Sequence, residues 1–198
     1  VIEGDFRKEI LTNRFLYILA VCIPMVLSPA LSFSQEEHFS LIVKSKYFYV
    51  YGYKNMDINS LLEKLDFECF SPCKLFKDND AKSILAETID CIFLKVSVIL
   101  DAHVYSFHGE IRILSDRGAV NSVYRKYFDK DCPERSFYSL EKNAIYISFA
   151  DLTPGMLGHE ISHAVISSFF VVQPSIKIHE ILCCYVEYTI RKLTDKPR

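Results

Sequence analysis

Residues 153–169 read Thr-Pro-Gly-Met-Leu-Gly-His-Glu-Ile-Ser-His-Ala-Val-Ile-Ser-Ser-Phe. Thr153 is a good helix N-cap and Pro154 suits the first helical position, where its missing N–H is not needed. Met156, Leu157, Ile161, Ala164, Val165 and Phe169 then recur at helical spacing, so the stretch predicts an amphipathic helix. On such a helix His159 and His163 lie one turn apart on the same face, with Glu160 beside them. Two imidazoles so placed can hold one zinc ion while the glutamate addresses water on it. A histidine pair used only for packing gives no reason for the intervening carboxylate. The His-Glu-x-x-His pattern therefore points to zinc-dependent hydrolysis, with Glu160 as general base.

A catalytic zinc takes three protein ligands and leaves one position for water, so a third donor must come from outside this helix. The only interruption before the last helical segment is the short break at Val172–Pro174, so the two helices should fold back as a hairpin. His179, Glu180 and Glu187 lie on that last segment. At about 1.5 Å rise per residue, the metal level falls between the two glutamates, and geometry leaves the choice open.

Upstream, Ser40 to Tyr53 is rich in Val, Ile, Phe and Tyr and reads as an extended strand. Asp57 caps a short helix through Leu65, and Asp80 starts a long one carrying Ile84, Leu85, Ile89, Ile92, Phe93 and Val96 as its apolar stripe. Glu110–Ser115 alternates as a strand, Asp116–Tyr127 reads as a helix, and Asn143–Ser148 gives a second strand just before the motif. The layout is α+β: a small mixed sheet with the chemistry near its C-terminal end. His103, His108 and Glu110 straddle a turn into a strand and read as a solvated strand end, not a ligand set.

With 198 residues and 50% hydrophobic composition, the chain can bury one substantial core. Lys plus Arg (23) nearly balances Asp plus Glu (25), which excludes the basic field that nucleic-acid binding needs. Arg7, Lys8 and Arg14 precede an uncharged run from Phe15 to Leu31, followed by Ser32 and Ser34. Residues 1–34 are therefore expected to be a signal peptide or an N-terminal membrane anchor, and 35–198 a single catalytic domain. That expectation makes the protein exported, periplasmic or secreted, possibly held at the membrane by an uncleaved segment. All but Cys22 of the seven cysteines follow Ser34, an even set that in an oxidising compartment suggests disulfides. Cys69 and Cys73 lack the second close pair that a cysteine zinc site requires.

The segment Gly158-His-Glu-Ile-Ser-His-Ala164, followed by Pro174 and by Glu180-Ile-Leu-Cys-Cys-Tyr185, resembles the gluzincin metallopeptidases. It is most similar to the small bacterial peptidase MA-like proteins, including the minigluzincins. In these a second helix bearing Glu-Gly-Leu-Ala-x-Tyr completes the zinc site. Glu180, Leu182 and Tyr185 fall at matching positions, with Ile181 in place of Gly and Cys183 in place of the small residue. The resemblance implies a zincin-like fold and Zn2+ held by His159, His163 and Glu180. It also implies a peptide or protein substrate, which the strand from Asn143 to Ser148 would pair with as an edge strand. Tyr146, Tyr185 and Tyr188 are candidates for the oxyanion donor. A non-catalytic zincin-like binding or scaffold protein of the cell envelope is the alternative. Nothing in the sequence sets the oligomeric state.

Overall fold

Aspartates start three of the helices, each by accepting backbone N–H groups that the first turn leaves without partners. In the computed structural model, which describes residues 39–65 and 80–194, Asp57 caps α1 (Ile58–Lys64) through the N–H groups of Asn59 and Ser60. Asp80 caps α2 (Ala81–Leu100) through Ser83, and Asp116 caps α3 (Arg117–Phe128) through Ala119. Thr153 does the same for α4 (Pro154–Phe169), its Oγ1 accepting from Met156 N at 3.2 Å with Pro154 in the first turn. The last helix, α5, spans Ile176–Thr194.

The strands β1 (Ser40–Lys44), β2 (Phe48–Gly52), β3 (Gly109–Leu114), β4 (Ser136–Ser139) and β5 (Ala144–Ser148) form one sheet in the order β1-β2-β3-β5-β4. The central pairs β2–β3 and β3–β5 are parallel, and the two outer strands run antiparallel to their neighbours. β5 is buried along its whole length, as expected of a strand covered on both faces. Side chains alternate across it. Ile145 and Ile147 join the main core with Leu85, Ile89, Ile92 and Phe93 of α2 and with Leu157, Ile161 and Val165 of α4. Ala144 and Tyr146 face the other way, into a smaller cluster with Val120 of α3 and Phe137 of β4. The fold is thus a mixed α+β sheet carrying α3 on one face and the motif helix, packed against α5, on the other. Phe93 is the aromatic centre of the main core, stacked on Tyr47 at 4.2 Å and Phe107 at 5.4 Å, with Phe48 edge-on at 5.8 Å.

Several expectations need correction. Ser40–Tyr53 is a hairpin, not one strand. It turns at Ser45–Tyr47, where Lys46 N and Tyr47 N donate to the Asp90 carboxylate of α2 at 2.9 and 3.2 Å. No Gly or Asn marks the turn, because a carboxylate distant in sequence satisfies its backbone. β5 is not the sheet edge either: β4 lies outside it, pairing Ser136 with Ile147 through Ser139 with Ala144.

The expected disulfides are not present among the described cysteines Cys91, Cys132, Cys183 and Cys184. Cys91 sits on α2 and Cys132 beside the smaller core cluster, while Cys183 and Cys184 diverge by about 100° around α5. Cys69 and Cys73 lie outside the described residues. The expected membrane anchor is not found among the described residues, which leaves the anchored localisation without support there. Among the described residues no helix is long and apolar enough to cross a bilayer. Even α2, which has the length, carries Lys82, Glu87, Asp90 and Lys95 and puts its apolar stripe into the core. The run from Phe15 to Leu31 lies outside the described residues.

Candidate metal centre

Two glycines let the last helix approach the motif helix closely. A Cβ at Gly158 would lie 2.3 Å from Ile190 Cδ1, and one at Gly155 would lie 2.7 Å from Arg191 Cγ. The C-terminal half of α5 is thereby seated on the N-terminal half of α4, as an antiparallel hairpin requires. Beyond α4, Gln173 Nε2 donates to the carbonyls of Ser167 and Phe170 at 3.0 and 2.6 Å and supports the reversal. Earlier residues of α5 are carried alongside the histidines.

The result is a tight set of donors. His159 Nε2 and His163 Nε2 are 3.3 Å apart. The Glu180 carboxylate places Oε2 3.6 Å from His159 Nε2 and Oε1 3.6 Å from His163 Nε2. Donors about 2.0–2.2 Å from a tetrahedral zinc lie roughly 3.4 Å from one another, and the two imidazole nitrogens already have that spacing, while Glu180 approaches each of them with a different carboxylate oxygen. Burial, with His159 and His179 nearby, lowers the His163 pKa to about 3. The imidazole is therefore neutral at physiological pH, the form that donates a lone pair to a metal.

On the far side of His159, Glu187 Oε2 comes within 3.2 Å of Nδ1, off the direction of a hydrogen bond, so that this buried nitrogen has no hydrogen-bond partner. A carboxylate behind a ligating histidine is the usual means of holding the ring and its tautomer. Of the candidates on α5, Glu180 and Glu187 thus both reach the histidines, from opposite nitrogens. The His179 ring lies tilted against that of His163, with centroids 4.8 Å apart, and its buried Nε2 has no hydrogen-bond partner.

Glu160 is almost wholly buried, and Ser136 Oγ donates to its Oε1 at 2.6 Å while Oε2 has no partner. Burial raises its pKa to about 8. The Ser136 hydrogen bond opposes the shift, and the charges of Glu180, Glu134 and Glu187 add to it. An orphaned carboxylate oxygen close to the neutral His163 imidazole is a site suited to a cation that would offset that desolvation.

The donors open onto a cavity of about 340 Å³. His159, Glu160, His163 and Glu180 form its polar wall, and Tyr124, Phe128 and Phe137 face them. Tyr146 is elsewhere: buried in the smaller core, its hydroxyl is 3.2 Å from that of Tyr127. Tyr185 and Tyr188 lie exposed on α5. Glu110 pairs with Arg112 at 2.7 Å, and His103 stacks beside Tyr105, so that neighbourhood does not form a ligand set.

Sequence reasoning missed two residues. Ser136 belongs to a four-residue strand with no periodic signal. Cys183 is fully buried and forms, with His159 and His163, a cluster whose ligand atoms all lie within 4.8 Å of one another. Burial pushes its thiol pKa up. Its spacing three residues after Glu180, on the same helix face, was the available signal.

The fold and this cluster define a zincin-like arrangement capable of holding a metal ion. Compared with known proteins, the chain matches no family model, no curated protein and no solved structure.

Proposed function

We propose that this protein is a zinc-dependent metallopeptidase of the gluzincin type, with residues 35–198 as its catalytic domain. The observation that carries the reading is the convergence of His159, His163 and Glu180 at 3.3–3.6 Å beside the buried carboxylate of Glu160. His159 and His163 would hold the ion through Nε2 and Glu180 through its carboxylate. Zinc, when bound, supplies the Lewis acidity that acidifies water and polarises a scissile carbonyl.

The remaining work falls to the chain. Ser136 holds Oε1 of Glu160 and fixes the carboxylate plane, which leaves Oε2 to take a proton from the attacking water and return it to the leaving amine. Glu187, whose Oε2 lies 3.2 Å from His159 Nδ1, would orient that ring from behind once the two groups align. β4 is the edge strand on the β5 side of the sheet and supplies Ser136 to the site, so its outer edge is where an extended peptide would pair by strand addition. The aromatic wall of Tyr124, Phe128 and Phe137 would receive an apolar substrate side chain and exclude water from the reacting bond.

The test is metal content by mass spectrometry together with cleavage of a peptide library. The parent should carry one zinc per chain, Glu180→Ala should lose or weaken it, and Glu160→Gln should keep the metal and lose turnover. A parent that takes up no zinc after reconstitution would refute the assignment. Zinc binding with no cleavage of any peptide would transfer the reading to a zincin-like binding protein.

A further inference from the structure

The inference concerns the resting state of the same site and rests on the zinc reading above. Cys183 projects from the face of α5 that also carries Glu180, one turn away, and it is fully buried against the two motif histidines. A buried cysteine is more often a small apolar filler. Here, however, its neighbours within 4.8 Å include the ligand atoms of two imidazoles, and it is not in a disulfide. Cys184, the next residue, is exposed and likewise not in a disulfide.

Zinc–thiolate bonds of about 2.3 Å and zinc–imidazole bonds of about 2.0–2.1 Å put sulfur and nitrogen donors roughly 3.6 Å apart on one ion. The Cys183 cluster is within about an ångström of that spacing already. Zinc sites with four protein donors are closed, whereas hydrolytic sites have three and keep a position for water. The zinc reading assigns three donors, His159, His163 and Glu180, and leaves Cys183, which lies in the same cluster as the two histidines, without a role. We propose that Cys183 is the fourth donor, so that the centre rests in a closed, self-capped form and becomes hydrolytic only when the thiolate leaves the ion. Sulfur–metal bond formation releases the thiol proton to solvent, and departure of the sulfur takes one up. No electrons are exchanged in either direction. Access to the metal is then gated from within the chain.

Cobalt(II) is the probe, because a cobalt–thiolate bond gives a near-ultraviolet charge-transfer band that imidazole and carboxylate do not. The purified full chain, made metal-free under reducing conditions, is titrated with cobalt beside Cys183→Ala, Cys183→Ser, Cys184→Ala and His163→Ala. Circular dichroism confirms that each variant is folded. The expected result is a charge-transfer band saturating at one cobalt per chain. It should be lost in both Cys183 variants while their visible ligand-field bands persist, and it should be retained in Cys184→Ala. Cobalt bound at one equivalent in the parent and lost in His163→Ala, but with no charge-transfer band, would overturn the fourth-donor proposal and leave the zinc reading standing. A band that survives in Cys183→Ala would overturn the proposal equally. Failure of the parent to bind cobalt or zinc at all would refute the zinc reading itself, and this inference with it.

Discussion

Replacing Gly158 by Ala sets two effects of known size against each other. In the middle of α4 the change should stabilise the helix by about 1 kcal/mol, because glycine loses more backbone freedom on folding. The new methyl would sit 2.3 Å from Ile190 Cδ1, against a normal carbon–carbon contact of about 3.5–4.0 Å, so more than an ångström must be opened. Cδ1 is the end of its side chain, but Ile190 is fully buried and Val186 Cγ1 lies only 3.8 Å from the new atom, so no free rotation relieves the clash. Overpacking of this kind costs about 1–3 kcal/mol. The overpacking wins, and the expected net loss is about 1 kcal/mol in urea unfolding of the metal-free protein. Because α5 also carries Glu180, displacement of α5 should weaken zinc binding in competition with a chelator dye. Ile190→Val removes the very atom that clashes and alone should cost about 0.5–1.5 kcal/mol. In the double variant the clash disappears and the helix-propensity gain is expressed, so the two losses should cancel in part, with a coupling of about 1–2 kcal/mol. Additivity within about 0.5 kcal/mol would refute the close-approach argument.

Three further outcomes are expected. In the metal-free protein, Glu160 holds its proton to about pH 8 when folded but releases it near 4.5 when unfolded. Its contribution to stability is therefore present below pH 4.5 and lost as pH rises toward 8, at roughly 1.4 kcal/mol per pH unit between those limits. Glu160→Gln should remove that slope from chemical denaturation measured at successive pH values, and parallel curves for parent and variant would count against the buried, protonated carboxylate. Glu187→Gln should lower zinc affinity about 10–100-fold in isothermal titration without unfolding the chain, as expected for a group that orients a ligand; an unchanged affinity would remove Glu187 from the site. Phe93→Ala should destabilise by about 3–5 kcal/mol in thermal or urea unfolding, since it opens a cavity among Tyr47, Phe48 and Phe107; a loss below about 1 kcal/mol would contradict its central place in the core.

What the chain declares locally is legible in order along it. Helix starts at Asp57, Asp80, Asp116 and Thr153 could be read because a cap is a contact between residues two or three apart. The motif helix, its two histidines and the fold-back of α5 followed from periodicity and a short break, and so did the α+β class. Tertiary structure alone decided the rest. Whether Glu180 or Glu187 meets the Nε2 side depended on how deeply α5 sinks onto Gly155 and Gly158, a packing distance that no spacing rule contains. The edge position of β4, the turn held by Asp90, and the arrival of Ser136 at Glu160 each join segments far apart in sequence. Cys183 belongs to the same class. Its type permitted a disulfide, a filler or a ligand, and only the fold, by burying it against two imidazoles and not against another sulfur, removed the disulfide and put the thiol beside the candidate site.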